Sequence, residues 1–126
     1  MPRPHVVIIG SGFGGLFSAR ALAKADVDIT LLSKTTAHLF QPLLYQVATG
    51  ILSSGEIAPA TRDILARQKN AKVLLSEVSK INLDSRIVIG EKLSKQTILR
   101  YDYLIVAAGA GQSYFGNDQF ATFAPG

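Results

Sequence analysis

Four branched apolar residues, Val6 to Ile9, run without alternation into Gly10-Ser11-Gly12-Phe13-Gly14-Gly15, and this junction limits the possible folds more than any other stretch. An unalternating apolar run fits a central parallel strand covered on both faces, because a half-exposed strand would carry a polar residue at every second position. The glycines then imply a tight turn. From Phe13 to Lys24, Gly15, Ala19, Leu22 and Ala23 recur at helical spacing while Ser18, Arg20 and Lys24 are free to face water. This predicts a helix with one face small enough to lie close on a sheet. Val27 to Ser33 reads as a second strand, and such a crossover returns right-handed to the same sheet, parallel to the first.

The spacing G-x-G-x-x-G falls on Gly10, Gly12 and Gly15. With 11 glycines in 126 residues the bare string is weak. Its position between a strand and a helix that leads to a second strand is what gives it meaning. In that setting Gly10 permits the turn, Gly12 lets the backbone approach a pyrophosphate, and Gly15 lets helix and sheet close up. The anion would sit on the free amides of Ser11, Gly12, Phe13 and Gly14, at the positive end of the helix. This predicts a dinucleotide site. The acidic residue that usually meets the ribose at the end of the second strand is replaced by Ser33, followed by Lys34. That argues against a plain NAD site and leaves a 2′-phosphate as one reading. Ser11 does not lie in a G-x-S-x-G elbow and has no acid or histidine beside it, so no nucleophile is assigned.

Apolar residues make up 48% of the chain and charged residues 17%, the balance of a single globular domain. There is no cysteine, which excludes disulfides and thiolate metal sites from these residues. No metal-ligand spacing occurs, and His5 and His38 read as surface or hydrogen-bonded histidines. The formal charge of +4 comes from basic residues that are nowhere adjacent, so a nucleic-acid partner is not expected. Lys34 to Gly55 has neither helical nor strand period and reads as a long loop with one helical turn near Leu43 to Val47. Pro59 is placed to open a helix containing Ile64, Leu65 and Gln68. An antiparallel meander is predicted next, with strands near Val73 to Val78, Ser79 to Leu83, Arg86 to Gly90 and Thr97 to Arg100. Tyr101 to Gly109 then returns to the parallel sheet. Tyr101, Tyr103, Phe115 and Phe120 are read as core.

A glycine turn near the N-terminus, a βαβ unit, a meander and then Tyr101-Asp102-Tyr103-Leu104-Ile105-Val106-Ala107-Ala108-Gly109 resembles the FAD-binding half of two-dinucleotide flavoproteins. The predicted class is α/β, a Rossmann-like FAD/NAD(P)-binding fold with a parallel sheet and an antiparallel meander, incomplete at its C-terminal end. More narrowly, His38 to Gly50, Gly55 to Pro59 and Ala107 to Asp118 resemble the type II NADH dehydrogenases, particularly actinobacterial and mycobacterial members. The resemblance implies a flavoenzyme that takes a hydride from NADH onto FAD and passes electrons to a membrane quinone without pumping protons. It places Gly10 to Gly15 on the pyrophosphate, Ser33 and Lys34 beside the adenosine ribose, and Val78 at the adenine. Gln41, Leu44 and Gln46 would follow the isoalloxazine, with Ala108 and Gly109 closing over the flavin side. No catalytic acid or base is implied, because hydride transfer needs only a rigidly oriented cofactor. Residues 1–126 would be a partial FAD-binding domain. An NADH motif, a quinone site and a membrane anchor on the cytoplasmic face would lie beyond Gly126, and these residues alone would lack activity. A homodimer is compatible with the resemblance. The alternatives are a sulfide:quinone or ferredoxin reductase, or a dinucleotide-binding module without turnover.

Overall fold

The structure, a computed structural model, describes residues 1–111 and 113–125. Its centre is the predicted opening strand, β1 (His5–Ile9), which runs parallel to β2 (Asp28–Ser33) on one side and to the strand Tyr103–Val106 on the other. Ala71–Leu75 continues the sheet beyond β2, also parallel. In chain order these are β1, β2, β3 (Ala71–Leu75) and β7 (Tyr103–Val106), and the sheet order is β3-β2-β1-β7. Between β3 and β7 lie β4 (Glu77–Asn82), β5 (Ile87–Lys92) and β6 (Lys95–Arg100), an antiparallel meander.

The unalternating text of β1 follows from its two covered faces. Val6 and Ile8 turn toward the helix layer with Ile29 and Leu31, where they meet Leu16 and Ala19 of α1 (Phe13–Ala21) and Leu65 of α4 (Thr61–Leu65). Val7 and Ile9 turn the other way with Leu32, against Val88 and Tyr101 from the meander side. A three-layer stack of helices, parallel sheet and meander results. A fully buried side chain of this size contributes about 1.5–3 kcal/mol, so β1 and β2 carry much of the fold's stability.

Four expectations need correction. The run Val73 to Val78 is not one meander strand: Val73 to Leu75 pair with Leu31 to Ser33 in the parallel sheet, the chain breaks at Ser76, and Glu77 begins the meander. The meander therefore has three strands. Gly90 is not a break either, because β5 continues to Lys92 and the hairpin turn sits at Leu93 and Ser94, both at positive φ, as a twisted two-residue connection requires. Pro59 does not open α4. It ends the preceding segment, with its carbonyl accepting from the His38 amide, and Ala60 is the N-cap. Finally, of the four aromatics assigned to the core only Tyr101 is buried; Tyr103, Phe115 and Phe120 are exposed. Tyr103 lies on β7, which among the described residues pairs with β1 alone and so has one open edge.

The long loop is ordered by short helices, α2 (Leu44–Ala48) and α3 (Ser54–Ile57), with a 3-10 turn at Gln41–Leu43. Ser53 and Glu56 form a capping box at α3. No helix among the described residues is long and apolar enough to cross a membrane.

Candidate functional site

Gly10 and Gly15 are explained by the protein's own packing. Gly10 has φ of +107°, and a Cβ there would come inside 3.0 Å of the Ala107 carbonyl, where β1 and β7 end side by side. A Cβ on Gly15 would likewise collide with the carbonyl oxygen of Gly10, so only glycine lets α1 lie this close to the end of β1. Gly12 is different. Its φ of −72° suits any residue, and a Cβ there would meet nothing within 4 Å. Nothing inside the fold requires a glycine at this position.

The space before Gly12 is a cleft of about 380 Å³ at the C-terminal ends of the parallel strands, within the usual range for small-molecule sites, roughly 300–1,000 Å³. One wall is the turn Gly10-Ser11-Gly12, a second is the end of β2 with Ser33, Lys34 and Thr35, and a third is Ala107-Ala108-Gly109 after β7. Ser76, Glu77 and Val78 complete it from the junction of β3 and β4. The cleft lies where the strand order reverses: the chain goes from β1 outward to β2 and β3 on one side, and comes back as β7 on the other. Open α/β sheets bind ligands at such a point.

No hydrogen bond among the described residues uses the amides of Ser11, Gly12 or Phe13. The first turn of α1 thus presents free N–H groups at the rim, and the Gly12 N-cap has no side-chain partner to compete for them. Ser11 is held from two sides: its hydroxyl bonds to Ser33 Oγ at 2.7 Å, and its carbonyl oxygen accepts from His38 Nδ1 at 2.7 Å. Ser33 is buried, donates its own hydroxyl to the Thr35 carbonyl oxygen at 2.5 Å, and accepts from the Thr35 amide at 3.3 Å. Its donor is therefore committed inside the protein, and Lys34 is the side chain at the end of β2 with donors to spare.

The structure brings Gly10, Ser11, Gly12, Ser33, Lys34, Val78, Ala108 and Gly109 together around one cleft. Phe13, Gly14 and Gly15 stand behind it in α1, with the Phe13 ring packed edge-on against His38 and Phe40. Gln41, Leu44 and Gln46 lie on the 3-10 turn and α2, outside the cleft walls. The string from Ala107 to Asp118 includes Gln112, which lies outside the described residues. Sequence reasoning missed Ser76 and Glu77, because β3 was merged into the meander; placing a third parallel strand would have put its end at the cleft. It also gave His38 no role, since its bond to Ser11 spans 27 residues.

The arrangement fits a dinucleotide phosphate on observations of the fold itself: unpartnered amides, and in the cleft wall a glycine that no contact within the fold requires. A larger and more open groove of about 590 Å³ lies at the other end of the sheet, with Arg3, Arg20, Lys24, Arg67 and Lys69 on its walls. It is remote from the helix N-terminus, and its Arg3 is already paired with Asp26 at 2.9 Å. Volume alone does not select it.

The profile of the pyridine nucleotide-disulphide oxidoreductases matches residues 4–124. The type II NADH:quinone oxidoreductase NdhA of Mycobacterium tuberculosis is 69% identical over 124 residues, covering 98% of this chain and 26% of the relative. Ndh of the same organism, also a type II NADH:quinone oxidoreductase, is 64% identical over 126 residues, covering 99% and 27%. The chain thus spans about a quarter of the length of these curated relatives. Among solved structures, NDH2 from Plasmodium falciparum in complex with NADH superposes with a TM-score of 0.80 at 30% identity, covering 90% of this chain and 24% of that one. The sulfide:quinone oxidoreductase of Aquifex aeolicus superposes with a TM-score of 0.81 at 28% identity, covering 92% and 27%.

Proposed function

Because the chain belongs to the pyridine nucleotide-disulphide oxidoreductase family, we propose that its cleft holds the adenosine and pyrophosphate of FAD, within a protein that passes electrons from NADH to a membrane quinone. The observation that carries the reading is Gly12, whose lack of a side chain serves no contact in the fold and which lines the cleft beside unpartnered amides. Identity of 69% and 64% to two type II NADH:quinone oxidoreductases, against 28% to a sulfide:quinone oxidoreductase, favours NADH as the donor.

In this reading the amides from Ser11 to Gly14 receive the pyrophosphate, and the positive end of α1 offsets its charge. Lys34 donates to the adenosine ribose hydroxyls, a task the committed Ser33 hydroxyl leaves open. The Val78 backbone faces the adenine, Ala108 and Gly109 lie toward the flavin side, and Gln41, Leu44 and Gln46 follow the isoalloxazine. When bound, FAD supplies a hydride acceptor for NADH and an electron donor for the quinone. These residues act by binding and orienting, and none of them is asked to move a proton. The protein would work peripherally on the cytoplasmic face of the membrane, where a quinone is reached.

The test is direct. Purified full-length protein containing these residues should carry the visible absorbance of flavin, lose it on mixing with NADH and regain it on adding a quinone. A colourless protein stabilised by NAD but not by FAD would overturn the cofactor. Bleaching by sulfide and not by NADH would overturn the donor.

A further inference from the structure

Resting on the reading that the glycine turn receives a pyrophosphate, we propose that His38 is a positioning residue that locks the Ser11–Gly12 peptide so that the Gly12 amide faces the phosphate. The peptide is trans, as are all the others described. In a trans peptide the carbonyl and the following N–H point in opposite directions. His38 Nδ1 holds the Ser11 carbonyl oxygen at 2.7 Å from a ring that does not line the cleft, although Ser11 and Gly12 do, and the Gly12 N–H points opposite to that carbonyl. A carbonyl only accepts, so Nδ1 carries the hydrogen.

The lock is needed because little else resists rotation of this plane. Reorienting it requires opposite changes in Ser11 ψ and Gly12 φ, and glycine permits φ values closed to other residues. Gly12 carries no side chain to limit φ, and its amide has no partner among the described residues. The same absence of a side chain that admits a phosphate also frees the peptide to turn its carbonyl toward it, which would repel the anion. One hydrogen bond decides between the two.

His38 is itself fixed. Its backbone amide donates to the Pro59 carbonyl oxygen at 2.9 Å, Ala37 bridges Ala60, and the Phe40 amide donates to the Ile57 carbonyl oxygen at 2.7 Å. The ring is buried, with Phe13 edge-on at 5.1 Å and 90°. The imidazole is therefore carried by a clamped pair of chain segments, and its one hydrogen bond among the described residues goes to the peptide that needs orienting.

The two amide substitutions separate this role from simple packing. In His38→Asn the side-chain NH2 takes the place of Nδ1, whereas in His38→Gln it lies one bond further out; both lose the same contact with Phe13. Apoprotein of each variant would be titrated with FAD and melted without it. The expected result is about a tenfold weaker FAD affinity in H38Q, equivalent to about 1.4 kcal/mol, near-native affinity in H38N, and similar apoprotein melting temperatures for the two. Equal affinities in H38N and H38Q, whether both native or both weak, would overturn the proposal. Should the variants fold poorly, the carbonyl carbon resonance of Ser11 in labelled wild-type protein gives an independent reading. A hydrogen-bonded, downfield position supports the lock, and a position matching free carbonyls overturns it. Failure of wild-type protein to bind FAD would instead sink the functional reading on which the proposal rests.

Discussion

Replacing Gly12 and Gly15 with alanine, one at a time, should separate ligand binding from folding within a single glycine turn. At Gly12 the new methyl meets nothing within 4 Å, and φ of −72° with ψ of −163° is open to alanine. Restricting the unfolded chain stabilises by about 0.4–1 kcal/mol. Gly12 is also the N-cap of α1, where alanine is worse than glycine by a similar amount, roughly 0.5–1 kcal/mol. The two terms oppose each other, so apoprotein stability should stay within about 1 kcal/mol of wild type. The methyl does, however, add bulk to the cleft wall beside the free amides. Losing one charge-assisted hydrogen bond costs about 1.5–3 kcal/mol, a tenfold to hundredfold weakening of FAD binding. At Gly15 the outcome inverts. The methyl is driven inside 3.0 Å of the Gly10 carbonyl oxygen, a backbone atom that cannot swing aside. Overpacking of this kind costs about 1–3 kcal/mol, so the apoprotein melting temperature should fall by several degrees. Thermal melts of apoprotein and FAD titrations decide the matter. If G12A melts as low as G15A, or binds FAD as tightly as wild type, the division of labour argued for these glycines is wrong.

Gly90→Ala should destabilise by about 1–3 kcal/mol because its methyl collides with Ser76 Oγ and lies 3.1 Å from the Glu77 carbonyl oxygen. The double variant S76G/G90A should recover most of that loss in thermal melts, and a double variant no better than G90A would refute the shared space. His5→Leu removes the partner of the fully buried Thr30 hydroxyl, now bonded to His5 Nε2 at 2.8 Å. A cost of about 1–3 kcal/mol is expected in urea unfolding, largely relieved in H5L/T30V, where no orphaned hydroxyl remains. Equal stability of H5L and H5L/T30V would refute that reasoning.

The first βαβ unit was legible because its signals are local and agree with one another. Continuous apolar text, three spaced glycines and helical periodicity all fall within the first 33 residues. The third parallel strand was not, because its assignment is a non-local fact. Val73 to Leu75 and Glu77 to Asn82 are separated only by Ser76, and both are rich in apolar residues. What divides them is pairing with β2, some forty residues earlier, and no local pattern carries that. The exposed aromatics failed for a related reason. Tyr103 has a residue type that suits a core, but its burial depends on whether the open edge of β7 has a neighbour.

The same distinction runs through the site. Gly15 could be read from spacing because its constraint is steric and close at hand, the carbonyl of Gly10. Gly10 and Gly12 could be placed by pattern but justified only by geometry, the first by the Ala107 carbonyl across the sheet and the second by an empty volume. Empty volume at a strand end still does not bind an anion. It needs amides turned toward it, and here their direction depends on a carbonyl held from a histidine 27 residues away. A protein carrying the glycine spacing without such a hold would keep the turn and the helix, yet present a peptide free to face either way. The glycine pattern thus specifies where a phosphate can approach, and the loop that brings His38 back to the turn specifies what charge it meets there.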